Sequence, residues 1–462
     1  MKKNKLIIFF IIAIALLTRL SYLHIRPLHH DEGVNFFFAE QIIRQGKFMY
    51  DPSNYHGPLY FFSIFLSFIL FGVSEFSLRL PAATYGILLA LIPLFLIKKK
   101  EILEPYVILI FLLISPSILY FSRYSIHEVA LVFLSGLAIV FFTKIFENND
   151  LRYLPFFSIA IALMLATKET SVILLSLFIV LLFLEIKKLK KIHWHEQRFF
   201  VFISIILFVL IYVALFTAFF NNMQGFIQSI QGIFPWLKRG YSDSGHFKPW
   251  FYYIGILTRY ELPIFIYAIF GIFYAWKNTL SRNIALWFLW NLAIYSIIKY
   301  KMPWLVVNIT VPMCYLAGVG YRHIPLKKIQ KMIFASASVA YLLFFSFYTN
   351  IWYPWQSNNT FAYVHTYANI FELVKKIDSL YSPNDKILIV SKEYWPLPFY
   401  LYKKNVEYLP DATSFKYENY ENFKIFIVRD TLSSQEQIPE GFTYKEFTLR
   451  NGVNLYVVYK NQ

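Results

Sequence analysis

Long apolar runs separated by short polar or basic stretches make up the first three-quarters of the chain. A basic head, Met1 to Lys5, precedes an apolar run from Leu6 to Leu23 that is long enough to span a bilayer. The run ends in Thr18-Arg19-Leu20 without a small-x-small cleavage pattern, so it reads as an uncleaved first span with the N-terminus in the cytoplasm and His24 onward outside. From Gly33 to Gln45, Val34, Phe37, Phe38 and Ile42 recur at helical spacing, and Gly46 ends the pattern. Leu59 to Phe71 is apolar but short, and charge argues that it lies in the interface. If it crossed, the cluster Lys98-Lys99-Lys100 would fall outside, against the positive-inside rule. The first outside loop then runs from His24 to about Ser77 and carries two interfacial helices.

The same reasoning lays out the remaining spans as 77–97, 105–121, 129–146, 154–166, 171–186, 199–220, 262–276, 284–298, 305–320 and 332–348, about eleven in all. The basic stretch Lys187 to Arg198 falls inside, a polar loop with Ser242 and Asp243 falls outside, and Pro249 to Glu261 reads as interfacial. From Asn350 the pattern changes. A helix over Phe361 to Leu380 precedes short strand patterns at Lys386 to Val390, Lys424 to Val428 and Val453 to Tyr459. The expected organisation is an all-α polytopic membrane domain, 1–349, and a small extracytoplasmic α/β domain, 350–462.

Composition sharpens this reading. The chain is 58% hydrophobic and 21% aromatic, with a formal net charge of +17. The positive charge clusters between apolar runs, where it sets topology and meets anionic lipid. No basic helix with polar periodicity suggests nucleic acid. Cys314 is the single cysteine, so no disulfide forms within the chain.

Candidate chemistry collects on three outward turns: His29-His30-Asp31-Glu32 with Asn54-Tyr55-His56-Gly57; Arg123 to Glu128; and Lys168-Glu169-Thr170. Adjacent carboxylates beside imidazoles at a membrane boundary suit acid–base work, because burial and neighbouring charge move their pKa values. Taken alone, the quartet reads equally well as a solvated loop. Arg79, Arg123, Lys168, Arg259, Lys299 and Lys301 stand at outer ends, against the charge bias. A lipid phosphate is their natural partner; snorkelling to head groups, or for Lys168 an ion pair with Glu169, is the plainer alternative. His29, His30, Asp31, His127 and Glu128 are acceptable metal-ligand types, but no HExxH-like spacing exists. A divalent ion on Asp31 or Glu128 stays open. Trp395-Pro396-Leu397-Pro398 is an aromatic, stiffened turn that could stack on a sugar or form a packing edge.

At this point a resemblance enters. His30-Asp31-Glu32, Tyr55-His56-Gly57-Pro58, Ser74-Glu75 with Arg79-Leu80-Pro81, Ser115-Pro116-Ser117, Ser122-Arg123 and Thr167-Lys168-Glu169 resemble the GT-C membrane glycosyltransferases, near the protein O-mannosyltransferase and aminoarabinose-transferase-like enzymes. Gly245 to Trp250, Tyr300 to Leu305 and Glu393 to Pro398 are similar to the prokaryotic branch labelled flippase-activity-associated. The resemblance implies inverting transfer of one sugar, of the hexosyl or mannosyl type, from a polyprenyl-phosphate donor outside the cytoplasm. It implies Asp31 as base, with Glu32 beside it. It also implies phosphate or sugar ligands among Arg123, His127 and Lys168, and brings His56, Glu128, Glu169 and Lys301 into the candidate set. His56 stands where aminoarabinose-transferase-like members carry a lysine, and Val34 and Asn35 stand where they carry an arginine. Partners would be the lipid-linked donor, a glycan, lipid or protein acceptor, and membrane lipid. The rival reading is a transporter or accessory protein for lipid-linked saccharide without transfer activity.

Overall fold

The computed structural model describes residues 2–54, 56–99, 101–241, 245–410, 415–429 and 438–460; Tyr55, Lys100, Ser242 and Asp243 lie outside them. The chain forms two compact units. One comprises Met1–Leu23 and Ala39–Trp352, the other His24–Phe38 and Tyr353–Gln462. The carboxy-terminal part therefore begins at Tyr353 rather than residue 350, and it includes a short amino-terminal piece that the sequence pattern does not assign to it.

In the first unit every expected apolar run is helical. Among the described residues, five helical stretches are long and apolar enough to cross a membrane: Glu75–Ile97, Glu128–Asn148, Trp194–Phe216, Pro303–His323 and Lys328–Trp352. A sixth arises if the pair Tyr252–Tyr260 and Leu262–Ala275, bent by 111°, is one span. Length and composition thus license fewer crossings than the expected eleven. The other runs are short, such as Leu154–Leu165, or charged at one end, as Ser171–Leu189 is by Glu185, Lys187 and Lys188. The unit is a multi-pass helical membrane body.

One expected span is broken. Helix Pro105–Ile114 stops at Ser115 and a second helix, Pro116–Phe121, begins. Pro116 has no N–H to give to the Leu112 carbonyl, so that group must find another donor. Arg19 supplies it, donating to the carbonyls of Leu112 (2.7 Å) and Leu113 (3.0 Å). The Ser346 hydroxyl covers the Ile114 carbonyl at 2.6 Å. The freed Ser117 N–H donates to Glu261 Oε1 at 2.9 Å, alongside the hydroxyls of Ser115 and Ser117, both at 2.7 Å. Glu261 sits at the 111° bend, so one carboxylate serves two helix breaks. Elsewhere, helices Leu262–Ala275 and Val307–His323 approach so closely that a Cβ on Gly320 would lie 1.8 Å from the Tyr267 carbonyl oxygen.

Among the described residues the second unit holds a five-stranded sheet: β1 (Ile387–Val390), β2 (Val406–Tyr408), β3 (Ile425–Arg429), β4 (Phe442–Arg450) and β5 (Val453–Lys460), in the order β2-β1-β3-β5-β4. β1 pairs in parallel with β2 and β3, with Ile389 opposite Ile427; β5 is antiparallel to β3 and β4. Helix Asn369–Leu380 packs Ile370, Leu373 and Ile377 on one face of the sheet, while Phe415, Tyr417 and Phe423 cover Leu388, Val390 and Phe426 on the other. Burial on both faces is why β1 and β3 read as unbroken apolar runs. The helix starts at Asn369, later than the expected Phe361. β2 and β4 are strands that the pattern alone does not reveal.

Candidate active site

In the first unit, three loops place five of the expected residues together. His56 precedes helix Pro58–Phe71, His127 and Glu128 open helix Glu128–Asn148, and Lys168 and Glu169 lie between helices Leu154–Leu165 and Ser171–Leu189. The loop at Gly57 is tied to the third by backbone bonds from Gly57 N to Thr167 O (3.2 Å) and Leu59 N to Ala166 O (2.9 Å). That seam sets His56 Nδ1 2.9 Å from Glu169 Oε2. Lys168 Nζ forms an ion pair with Glu128, both side chains buried. The His127 ring packs 4.6 Å from the rings of His56 and Tyr60, centroid to centroid, and its Nε2 has no hydrogen-bond partner among the described residues.

The electrostatics follow from burial and pairing. Burial opposes the charged form of Lys168, but Glu128 and then Glu169 outweigh it and its pKa rises above the ordinary lysine value. Burial likewise pushes the Glu169 carboxyl up, yet His56 and Lys168 together pull it below the ordinary range. Burial, with help from His56 and Lys168, drives His127 well below a normal imidazole. The cluster is a fixed ammonium, two carboxylates and a neutral imidazole, an arrangement that can hold an anion beside a hydrogen-bonding ring.

Asp31 belongs to the second unit. Helix His30–Gln45 begins three residues before the expected Gly33 because His29 caps it. The Asp31 N–H donates to His29 Nδ1 at 3.0 Å, and the His29 N–H donates to Glu32 Oε2 at 3.0 Å. This is a reciprocal cap with an imidazole in the usual serine place. Glu32 is fully buried, and Asp31 is partly exposed. His30 lies 6.0 Å from Trp395, ring to ring, and burial pulls its pKa down to about 4 against the raising effect of Asp31. Among the described residues no group of three or more His, Cys, Asp or Glu is arranged to hold a metal ion.

Comparison with solved structures matches the whole chain. ArnT from Cupriavidus metallidurans bound to undecaprenyl phosphate superposes with a TM-score of 0.72 at 13% identity, covering 98% of this chain and 97% of that one. ArnT from the same organism in the apo state gives 0.72 and 13%, covering 99% and 98%. The fold is that of ArnT. A family model described as dolichyl-phosphate-mannose-protein mannosyltransferase matches residues 55–216, the stretch that contains the whole five-residue cluster. No curated protein matches.

Within this ArnT fold, two expected site residues are engaged with backbone. Arg123 donates to the carbonyls of Thr18 (3.1 Å), Ser21 (2.8 Å) and Tyr22 (3.0 Å), closing the end of helix Lys2–Leu20. Lys301 donates to the carbonyls of Ser296 (3.0 Å) and Ile298, closing helix Thr279–Ile297, and burial lowers its pKa. Sequence reasoning passed over Arg19, Glu261 and Arg450. Arg450 pairs with Glu393 and donates to the Trp395 carbonyl at 3.3 Å. In the sequence, Glu261 stands just before Leu262-Pro263, whereas Arg19 is 97 residues from the Pro116 break it serves and nothing beside it points there.

Proposed function

We propose that this protein is an extracytoplasmic membrane glycosyltransferase that takes a sugar from a polyprenyl-phosphate donor. The observation that carries the reading is that one family match, residues 55–216, encloses the buried Lys168, Glu128 and His127 together with the half-buried His56 and Glu169. The ArnT fold, seen in a relative holding undecaprenyl phosphate, supports a lipid phosphate as the anion. Lys168 holds the donor phosphate by charge, and His56 and His127 orient it. Asp31 accepts the proton of the acceptor hydroxyl as that oxygen attacks the anomeric carbon. The bond from that carbon to the phosphate oxygen breaks with inversion, and polyprenyl phosphate leaves. A hexose such as mannose is the proposed sugar class.

The test uses purified protein in nanodiscs with a panel of polyprenyl-phosphate sugars and a membrane extract as acceptor mixture, with and without EDTA. Free polyprenyl phosphate should appear with the wild type and fall by about 100-fold or more in Asp31→Asn. Retained activity in EDTA would remove a divalent ion from the scheme. Wild-type release by Asp31→Asn would sink the assignment of the base.

A further inference from the structure

The candidate base sits on a segment clamped by the carboxy-terminal part of its own unit. The Leu28 N–H donates to the Tyr400 hydroxyl at 2.9 Å. Phe36 packs against Phe399 at 5.1 Å, ring to ring. A Cβ on Gly33 would lie 2.8 Å from Pro396, so the helix rests directly on the Trp395-Pro396 turn. These contacts hold the segment, but one side chain reaches the backbone of Asp31 itself. His29 Nδ1 accepts the Asp31 N–H, so Nδ1 carries no proton and Nε2 carries the ring hydrogen. That Nε2–H points at the Tyr363 carbonyl, 3.0 Å away. His29 is 96% buried, and its ring sits 5.4 Å from the His365 ring.

We infer that His29 is a positioning residue for Asp31: its imidazole is a rigid two-ended tie from the Asp31 backbone to the Tyr363 carbonyl of the carboxy-terminal domain. This rests on the transferase reading for its catalytic meaning, while the tie itself is testable without activity.

Two near-isosteres separate the two ends. Asparagine can cap the helix as His29 Nδ1 does but is too short to reach Tyr363; glutamine can reach the carbonyl but is a poor cap. The full-length protein is compared as wild type, His29→Asn and His29→Gln. In His29→Asn, hydrogen exchange of peptides covering residues 24–38 should rise about fivefold, the equivalent of one lost hydrogen bond. Its turnover should fall about tenfold to a hundredfold with KM for the donor within twofold. His29→Gln should keep more turnover than His29→Asn. If His29 only caps the helix, His29→Asn would match the wild type in both measurements, and the tie would be wrong. Faster exchange with unchanged turnover would overturn the positioning role. If the wild type releases no polyprenyl phosphate from any donor, the transferase reading fails on that result, and the exchange data still decide the tie.

Discussion

Two regions of the first unit use basic side chains in opposite ways. At the end of helix Lys2–Leu20, Arg19 and Arg123 are spent on backbone carbonyls left open by a helix end and a proline break. At the loops before helices Pro58–Phe71, Glu128–Asn148 and Ser171–Leu189, Lys168 and His56 face carboxylates instead. The first arrangement is architectural, because a carbonyl at a helix break cannot leave and cannot be replaced. The second can be exchanged, because a phosphate competes with a carboxylate for the same donors. Position at the end of a span therefore does not identify a ligand-binding cation; the identity of its partner does.

Lys168→Met breaks the comparison hardest. It strands Glu128 as an unpaired buried charge, which costs about 3–5 kcal/mol and should appear as a large fall in thermal midpoint. Adding Glu128→Leu should restore the midpoint, since a buried pair is replaceable by apolar groups, while affinity for undecaprenyl phosphate stays at least about tenfold weaker. If the double variant binds as wild type does, the cluster is not the phosphate site. Arg123→Met should cost about 2–4 kcal/mol for its three carbonyls. The loss should appear as a fall in thermal midpoint; an unchanged midpoint would show that these three carbonyls do not depend on Arg123. His56→Gln is milder. It keeps a hydrogen-bond donor for Glu169 and should weaken undecaprenyl phosphate binding about fivefold, read by calorimetry, without moving the midpoint beyond about 1 kcal/mol.

The last effect is graded rather than all-or-none, a pH dependence in the second unit. His30 is held down to about 4 by burial, with His29 and Arg450 also lowering it and Asp31 and Glu393 raising it. An unfolded histidine titrates near 6.5. Between those values the unfolded segment binds a proton that the folded one does not, so stability falls as pH drops from about 6.5 toward 4. The loss is at most about 1.4 kcal/mol per pH unit. Exchange of the Asp31 to Phe36 amides, corrected for intrinsic rate, should accelerate over that range; a flat profile would show that His30 is already solvated.

The apolar runs were legible as helices because burial in lipid demands continuous apolar sequence, and β1, β3 and β5 were legible because both faces of the sheet are covered. The pairing of His56 with Glu169 was not, since 113 residues separate them and only the Gly57–Thr167 seam aligns their loops. Arg123 and Lys301 were read as ligand cations because sequence shows where a charge stands, not which carbonyl lacks a donor. His29, read as a possible acid–base partner, acts as a helix cap, a place where imidazole is seldom expected.

The make-up of the second unit bears on how the protein comes off the ribosome. Residues 24–38 emerge before their partners in the same unit, which follow residue 352. Until those residues are made, the Asp31 segment lacks the Tyr363 carbonyl, the Tyr400 hydroxyl and the Trp395-Pro396 turn that hold it. A chain cut short by a premature stop, or clipped before Tyr363, would insert its helices and still lack the carbonyl that His29 binds. Synthesis of the stretch after residue 352 thus finishes the seat of the candidate base, and a copy truncated before it would lack the His29 tie.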